Sequence, residues 1–147
     1  MNLVKFQKAG HALYKLKIPV LPKIIEILIF LIYNSRVFSK TVIGKKTVFA
    51  YLGIGCIVHK DAIIGSGCMI GQGVTIGGRG ARGGVPVIKD NVFIGAGARI
   101  LGPVTIGNNV IVGPNAVVIT SIPDNSICVG IPAKVIKTDI EDIKQYL

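Results

Sequence analysis

Aliphatic residues occupy every sixth position across nearly half of this chain, and that spacing limits its possible folds more than any other feature. They stand at Leu52, Val58, Ile64, Ile70, Ile76, Ile88, Ile94, Ile100, Ile106, Val112 and Val118, and glycine follows seven of these eleven. A small or branched residue usually comes four positions later, as at Cys56, Ala62, Cys68, Val92, Ala98 and Ala116. Amphipathic helices repeat every 3.6 residues and half-buried strands every two, so neither alone accounts for a period of six. Six residues suffice for a short strand and a corner, and three such units close a coil of eighteen. Stacked coils bury their aliphatic residues as a column, so the expected fold is mainly β, a parallel β-helix of hexapeptide repeats. Coils stack at about 4.8 Å, which places residues eighteen apart almost directly above one another.

The period divides the chain. Residues 1–40 read as a helical leader, with helices over Lys8 to Lys17 and Lys23 to Tyr33 separated by Pro19 and Pro22. The β-helix is expected over 41–137. Its first residues, Thr41 to Val48, read as a transition, because Ile43-Gly44 lies three residues out of phase with the later repeats. At position 82 the expected aliphatic is replaced by Arg82, inside the stretch GGRGARGGVP with its five glycines. We expect an extruded loop over 77–87, a place where function often sits on a repetitive scaffold. Thr138 and Glu141 have capping-box spacing, which predicts a C-terminal helix over 138–147.

Charge is concentrated at one end. Nine of the seventeen Lys and Arg residues lie in residues 1–46 beside a single acid, Glu26, so this segment carries +8 of the net +10. That suits a solvated basic helix face or contact with an anionic membrane; nucleic-acid binding lacks the aromatic residues that would accompany it. Cys56, Cys68 and Cys128 form no CxxC pair and no disulfide framework, which fits a cytoplasmic protein. The N-terminus has no signal-peptide pattern, and the apolar run Ile27 to Tyr33 is too short to span a bilayer.

Only two histidines are present, and His11 falls on the leader. His59 occupies a slot usually held by glycine, and eighteen residues on is Gly77, the first residue of the loop. An exposed histidine tolerated at an open corner is the plainer explanation; a general base beside the loop root is the sharper one. Asp61, two residues on, is either an orienting carboxylate or a turn former. No second histidine or cysteine is placed to complete a metal site, so no metal is expected.

The stretches GIGCIVHKDAIIG, IGQGVTIGGRG, VPVIKDNVFIGAGARILGPVTIGNNVIVGPNAVV and IPDNSICVGIPAKVIK together resemble the left-handed β-helix acyltransferases, in particular the serine acetyltransferase-like branch found among polysaccharide-biosynthesis proteins. The resemblance implies a left-handed helix, a homotrimer with active sites between subunits, and acetyl-CoA as acyl donor to a hydroxyl of L-serine or of a sugar. It implies that the donor's pantetheine arm runs along Gly95, Ala96, Gly113 and Pro114, with its phosphates near Lys134, Lys137 and Thr120, and more loosely Arg82. Backbone N–H groups of Gly77 or Gly78 are candidates for holding the oxyanion, and Tyr51 and Cys56 are candidates for an acceptor pocket. Long-form serine acetyltransferases carry histidines where this chain has Leu52 and Val85. That departure leaves His59 as the single candidate base, and admits a second reading as a catalytically degenerate scaffold of a polysaccharide assembly complex. Either reading suits a cytoplasmic protein whose leader can meet the inner face of a membrane.

Overall fold

The computed structural model describes residues 3–80 and 83–146. Among these residues, fifteen short strands follow a two-helix leader, and all but the last pair in parallel. They form three faces of a prism. Face one stacks β1 (Arg36–Val37), β4 (Ile57–Val58), β7 (Thr75–Gly77), β10 (Arg99–Leu101) and β13 (Val117–Val118). Face two stacks β2 (Val42–Ile43), β5 (Ile63–Ile64), β8 (Val87–Ile88) and β11 (Thr105–Ile106). Face three stacks β3 (Val48–Phe49), β6 (Met69–Ile70), β9 (Phe93–Ile94), β12 (Ile111–Val112), β14 (Ile127–Gly130) and β15 (Ala133–Lys137). This is the parallel β-helix that the period of six implies.

The second residue of most strands points inward. Val37, Val58, Ile76, Ile100 and Val118 fill the prism from face one, and Ile64, Ile88 and Ile106 from face two, all essentially buried. Each such side chain contributes about 1.5–3 kcal/mol by leaving water, so the column supplies most of the stability. Corners two and three of coil two turn through left-handed residues, Gly67 and Gly73, whose counterparts one coil up are Asn91 and Gly97. Glycine and asparagine adopt that conformation at least cost, which is why these corners read as G and N in the sequence.

Three features differ from expectation. The first coil is complete and begins at Arg36, because Val37 pairs with Val58, twenty-one residues on. Three extra residues in the corner Ala50 to Ile54 shift the phase; there Tyr51 and Leu52 take positive φ of 48° and 63°. Leu52 is therefore an exposed corner residue rather than part of the core column. Coil one also carries hydroxyls instead of small residues at its corners: Ser35, Thr41 and Thr47 each donate to the carbonyl eighteen residues on, in Gly53, His59 and Gly65. The C-terminal helix expected over 138–147 reduces to a 3-10 turn at Ile143–Tyr146. The chain is committed elsewhere: β15 folds back antiparallel on β14, Thr138 turns its hydroxyl to Asp139, and Asn109 donates to the Ile140 carbonyl.

The leader helices α1 (Leu3–Lys15) and α2 (Leu21–Tyr33) close the lower end of the prism. Leu3, Val4, Ile29 and Tyr33 are buried there, and Gln7 donates from Nε2 to the carbonyls of Phe38 and Thr41. Gly10 is required by proximity, since a Cβ would lie 2.6 Å from Ser39 Oγ. His11 binds the Ser39 carbonyl through Nδ1 at 2.8 Å and thus ties the leader to coil one.

Candidate functional site

Corner one of coil two, between faces one and two, is built from His59, Lys60, Asp61 and Ala62. No residue in it has positive φ, so its conformation leaves room for side chains that glycine corners lack. The His59 N–H donates to the Ile76 carbonyl at 2.8 Å, which sets the imidazole one strand below Gly77, as the eighteen-residue spacing implies. The loop leaves the prism here, so Ile64 pairs with Ile88, twenty-four residues on, where Val58 pairs with Ile76 after eighteen. A Cβ added at Gly77 would meet nothing within 4 Å. Among the described residues, open space therefore lies beside the loop root, one strand spacing from the histidine.

The His59 side chain is 37% exposed, and its Nδ1 accepts the Asp61 backbone N–H at 3.2 Å. The Asp61 carboxylate stands 3.8 Å from the same nitrogen, because it is drawn toward Lys40, whose ammonium lies 2.5 Å away. That hydrogen bond holds the Asp61 carboxyl below its ordinary value and the Lys40 ammonium above its own. A histidine accepting at Nδ1 carries its neutral proton on Nε2. Acting as a base through Nε2 requires the other tautomer, with Nδ1–H turned toward a carboxylate.

The other expected residues fall in several places. Tyr51 is 75% exposed at corner three, across face one from His59. Cys56 is fully buried inside the prism, its thiol donating to the Gly71 carbonyl at 3.3 Å; it cannot line an acceptor pocket, and burial raises its thiol pKa. Burial pushes the Cys128 thiol up to about 11. Gly95, Ala96, Gly113 and Pro114 do form one column at corner three. Stacking alone explains its two glycines: a Cβ at Gly95 would lie 2.5 Å from Pro114 N, and one at Gly113 2.7 Å from the Val129 side chain. Gly78 lies exposed in the loop, near Gly84. Thr120 follows β13 on face one, whereas Lys134 and Lys137 lie on β15 at the upper end of face three, with Lys137 Nζ 4.7 Å above the Tyr146 ring. Arg82 lies outside the described residues.

Two neighbours of corner one leave no direct signal in the period of six. Phe38 follows Val37 in β1 as His59 follows Val58 in β4, and Lys40 reaches Asp61 from the corner below. The three-residue insertion hid both, although Ser35, Thr41 and Thr47 keep the period of six and betray the coil.

Known proteins share this architecture. Residues 86–120 match the family described as bacterial transferase hexapeptide (six repeats). The chain is 37% identical over 131 residues to the serine acetyltransferase of Synechococcus elongatus, covering 88% of this chain and 53% of that protein. It superposes on a soybean serine acetyltransferase complexed with serine with a TM-score of 0.85, at 32% identity, over 91% of this chain and 56% of the other. Against a serine acetyltransferase in complex with CoA the TM-score is 0.83 at 27% identity, over 91% of this chain and 55% of that one. The chain thus spans little more than half the length of these relatives. In sequence and fold the chain is similar to serine acetyltransferases, and residues 86–120 carry the hexapeptide repeat of bacterial transferases.

Proposed function

We propose that this protein transfers an acetyl group from acetyl-CoA to a hydroxyl, with His59 as general base. The observation that carries the reading is an imidazole held one strand below an open loop root, on a scaffold similar over 91% of its length to a serine acetyltransferase in complex with CoA. An alcohol is a weak nucleophile until its proton is being removed. In the proposed step the imidazole takes the hydroxyl proton as the oxygen attacks the thioester carbonyl. Collapse of the tetrahedral intermediate breaks the C–S bond, and the departing CoA sulfur receives that proton. The backbone N–H groups of Gly77 and Gly78 are the candidate donors to the oxyanion. The acceptor is L-serine, as the relatives' names suggest, or a sugar of a surface polysaccharide.

Within one copy, His59 and the corner-three column lie on opposite edges of face one. A donor running along Gly95, Ala96, Gly113 and Pro114 to reach a histidine therefore needs a second copy, which favours a trimer with sites between prisms. A sedimentation mass of three chains is expected, and a monomer would contradict it. The exposed apolar residues of α2, Ile24, Ile27, Leu28 and Leu31, sit within the most basic part of the chain. We assign them to an anionic membrane surface, although no helix among the described residues is long and apolar enough to cross one. Co-sedimentation with anionic but not neutral vesicles is expected, and equal recovery with both would remove the assignment.

Release of free CoA from acetyl-CoA, measured against L-serine and a panel of sugars, tests the main reading. Acceptor-dependent release is expected. No release with any acceptor, together with no CoA binding, would favour the degenerate scaffold.

A further inference from the structure

The leader hairpin does not lie flat against the prism. Between the α1–α2 turn and corner one it leaves a cleft of about 280 Å³, whose walls include Tyr14, Phe38, Lys23, Lys40, Lys60 and Glu26. His59 is not itself a wall of the cleft, but two wall residues flank it. Lys60 is the next residue after His59, and Phe38 is its counterpart one coil below on face one.

Two of the charges are already engaged. Glu26 accepts the Ser39 N–H at 2.8 Å, and Lys40 pairs with Asp61. Lys23 and Lys60 have no ion-pair partner among the described residues. The cleft therefore offers two aromatic side chains, Phe38 with one face under the Arg36 guanidinium, and two ammonium groups outside any ion pair, beside the Glu26 carboxylate. Aromatic faces pack against the C–H face of a sugar ring, and ammonium groups take phosphate oxygens in charge-assisted hydrogen bonds. The volume lies just below the range for ligand pockets, about 300–1,000 Å³, which suits a single sugar better than a polymer segment. L-Serine would leave both rings unmatched and could engage the lysines only through its carboxylate.

We infer that this cleft binds the acceptor, and that the acceptor is a monosaccharide carrying a phosphate group, presented with a hydroxyl toward His59. The inference rests on the acetyl-transfer reading for its purpose, but not for its test. Calorimetric titration of the full chain, without acetyl-CoA, compares glucose 1-phosphate and N-acetylglucosamine 1-phosphate with their neutral parent sugars and L-serine. At least one sugar phosphate is expected to bind about tenfold or more tightly than its neutral parent. That advantage is expected to be lost in the Lys23→Gln/Lys60→Gln double variant, both residues being exposed, and retained in His59→Ala. Repeating the titration with a nucleoside diphosphate sugar, and with a polyprenyl-phosphate sugar in vesicles, separates the possible sources of the phosphate. Either one sustains the inference if the lysine substitutions weaken its binding. Equal affinity for phosphorylated and neutral sugars, no binding of any phosphate-bearing probe, or indifference to the lysine substitutions would overturn it. Acetyl transfer to serine alone, with no sugar-phosphate binding, would refute the cleft and leave the transfer reading standing. Lysine-dependent binding with no CoA release for any acceptor would do the reverse.

Discussion

Corner three, where Gly95 lies beneath Gly113 and Pro114, and corner one, where His59 stands below Gly77, bound the same face of the prism but obey different rules. At corner three the glycines that end the face-three strands have neighbours that exclude a side chain: a Cβ at Gly71, Gly95 or Gly113 would come within 2.7 Å of the coil above. At corner one the glycine at the loop root faces open space, and the residues below it are a histidine, a lysine and an aspartate. In a repeat protein, adherence to the repeat reports packing. Departure from it without a packing cause marks where to look for chemistry.

Substitutions can break that comparison. Gly95→Ala should cost the fold about 1–3 kcal/mol, because its Cβ meets backbone that cannot yield cheaply. For a chain of this size that is roughly a 3–10 °C fall in thermal midpoint. Gly77→Ala should change stability by less than about 0.5 kcal/mol while still impairing acetyl transfer, since its methyl group enters the proposed site. If both variants melt alike, the contrast between the corners is wrong.

A smaller effect concerns how His59 is held. Lys40 draws the Asp61 carboxylate away from Nδ1. If that carboxylate orients the imidazole, Asp61→Asn should lower kcat about tenfold, whereas Lys40→Gln, which frees the carboxylate, should raise it roughly two- to threefold. Equal losses in both would make Asp61 a turn residue held by its lysine. The pair itself is insensitive to pH near neutrality. Asp61's depressed pKa means its contribution is lost only as pH falls through the acidic side of the carboxylate range, and Lys40's raised pKa means its share is lost only as pH rises through the alkaline side of the lysine range.

How much of the fold and site was legible in the sequence depended on whether the period ran unbroken. From Val58 to Ile76 nothing interrupts it, so the position of His59 beneath Gly77 could be counted directly. Below Val58, three extra residues around Tyr51 and Leu52 threw the count off and made an ordered coil look like a transition. Cys56 is no pocket residue, because its place in the repeat, four after the aliphatic phase, points it inward. Thr138 and Glu141 have the spacing of a capping box, but that spacing competes poorly with a hairpin on β14 and with Asn109 holding the Ile140 carbonyl. The cleft left no periodic trace, because it depends on how the hairpin of α1 and α2 meets the prism. Tyr14 and Lys60 become neighbours only through tertiary packing.

One side chain at corner one carries the proposed chemistry, and CoA release by the wild-type chain and by His59→Ala, with the same acceptor at saturation, tests it most directly. A fall of about 10²–10⁴ in kcat with an unchanged thermal midpoint is expected of a lost general base. Undiminished turnover in His59→Ala would contradict that role and move the chemistry away from this corner.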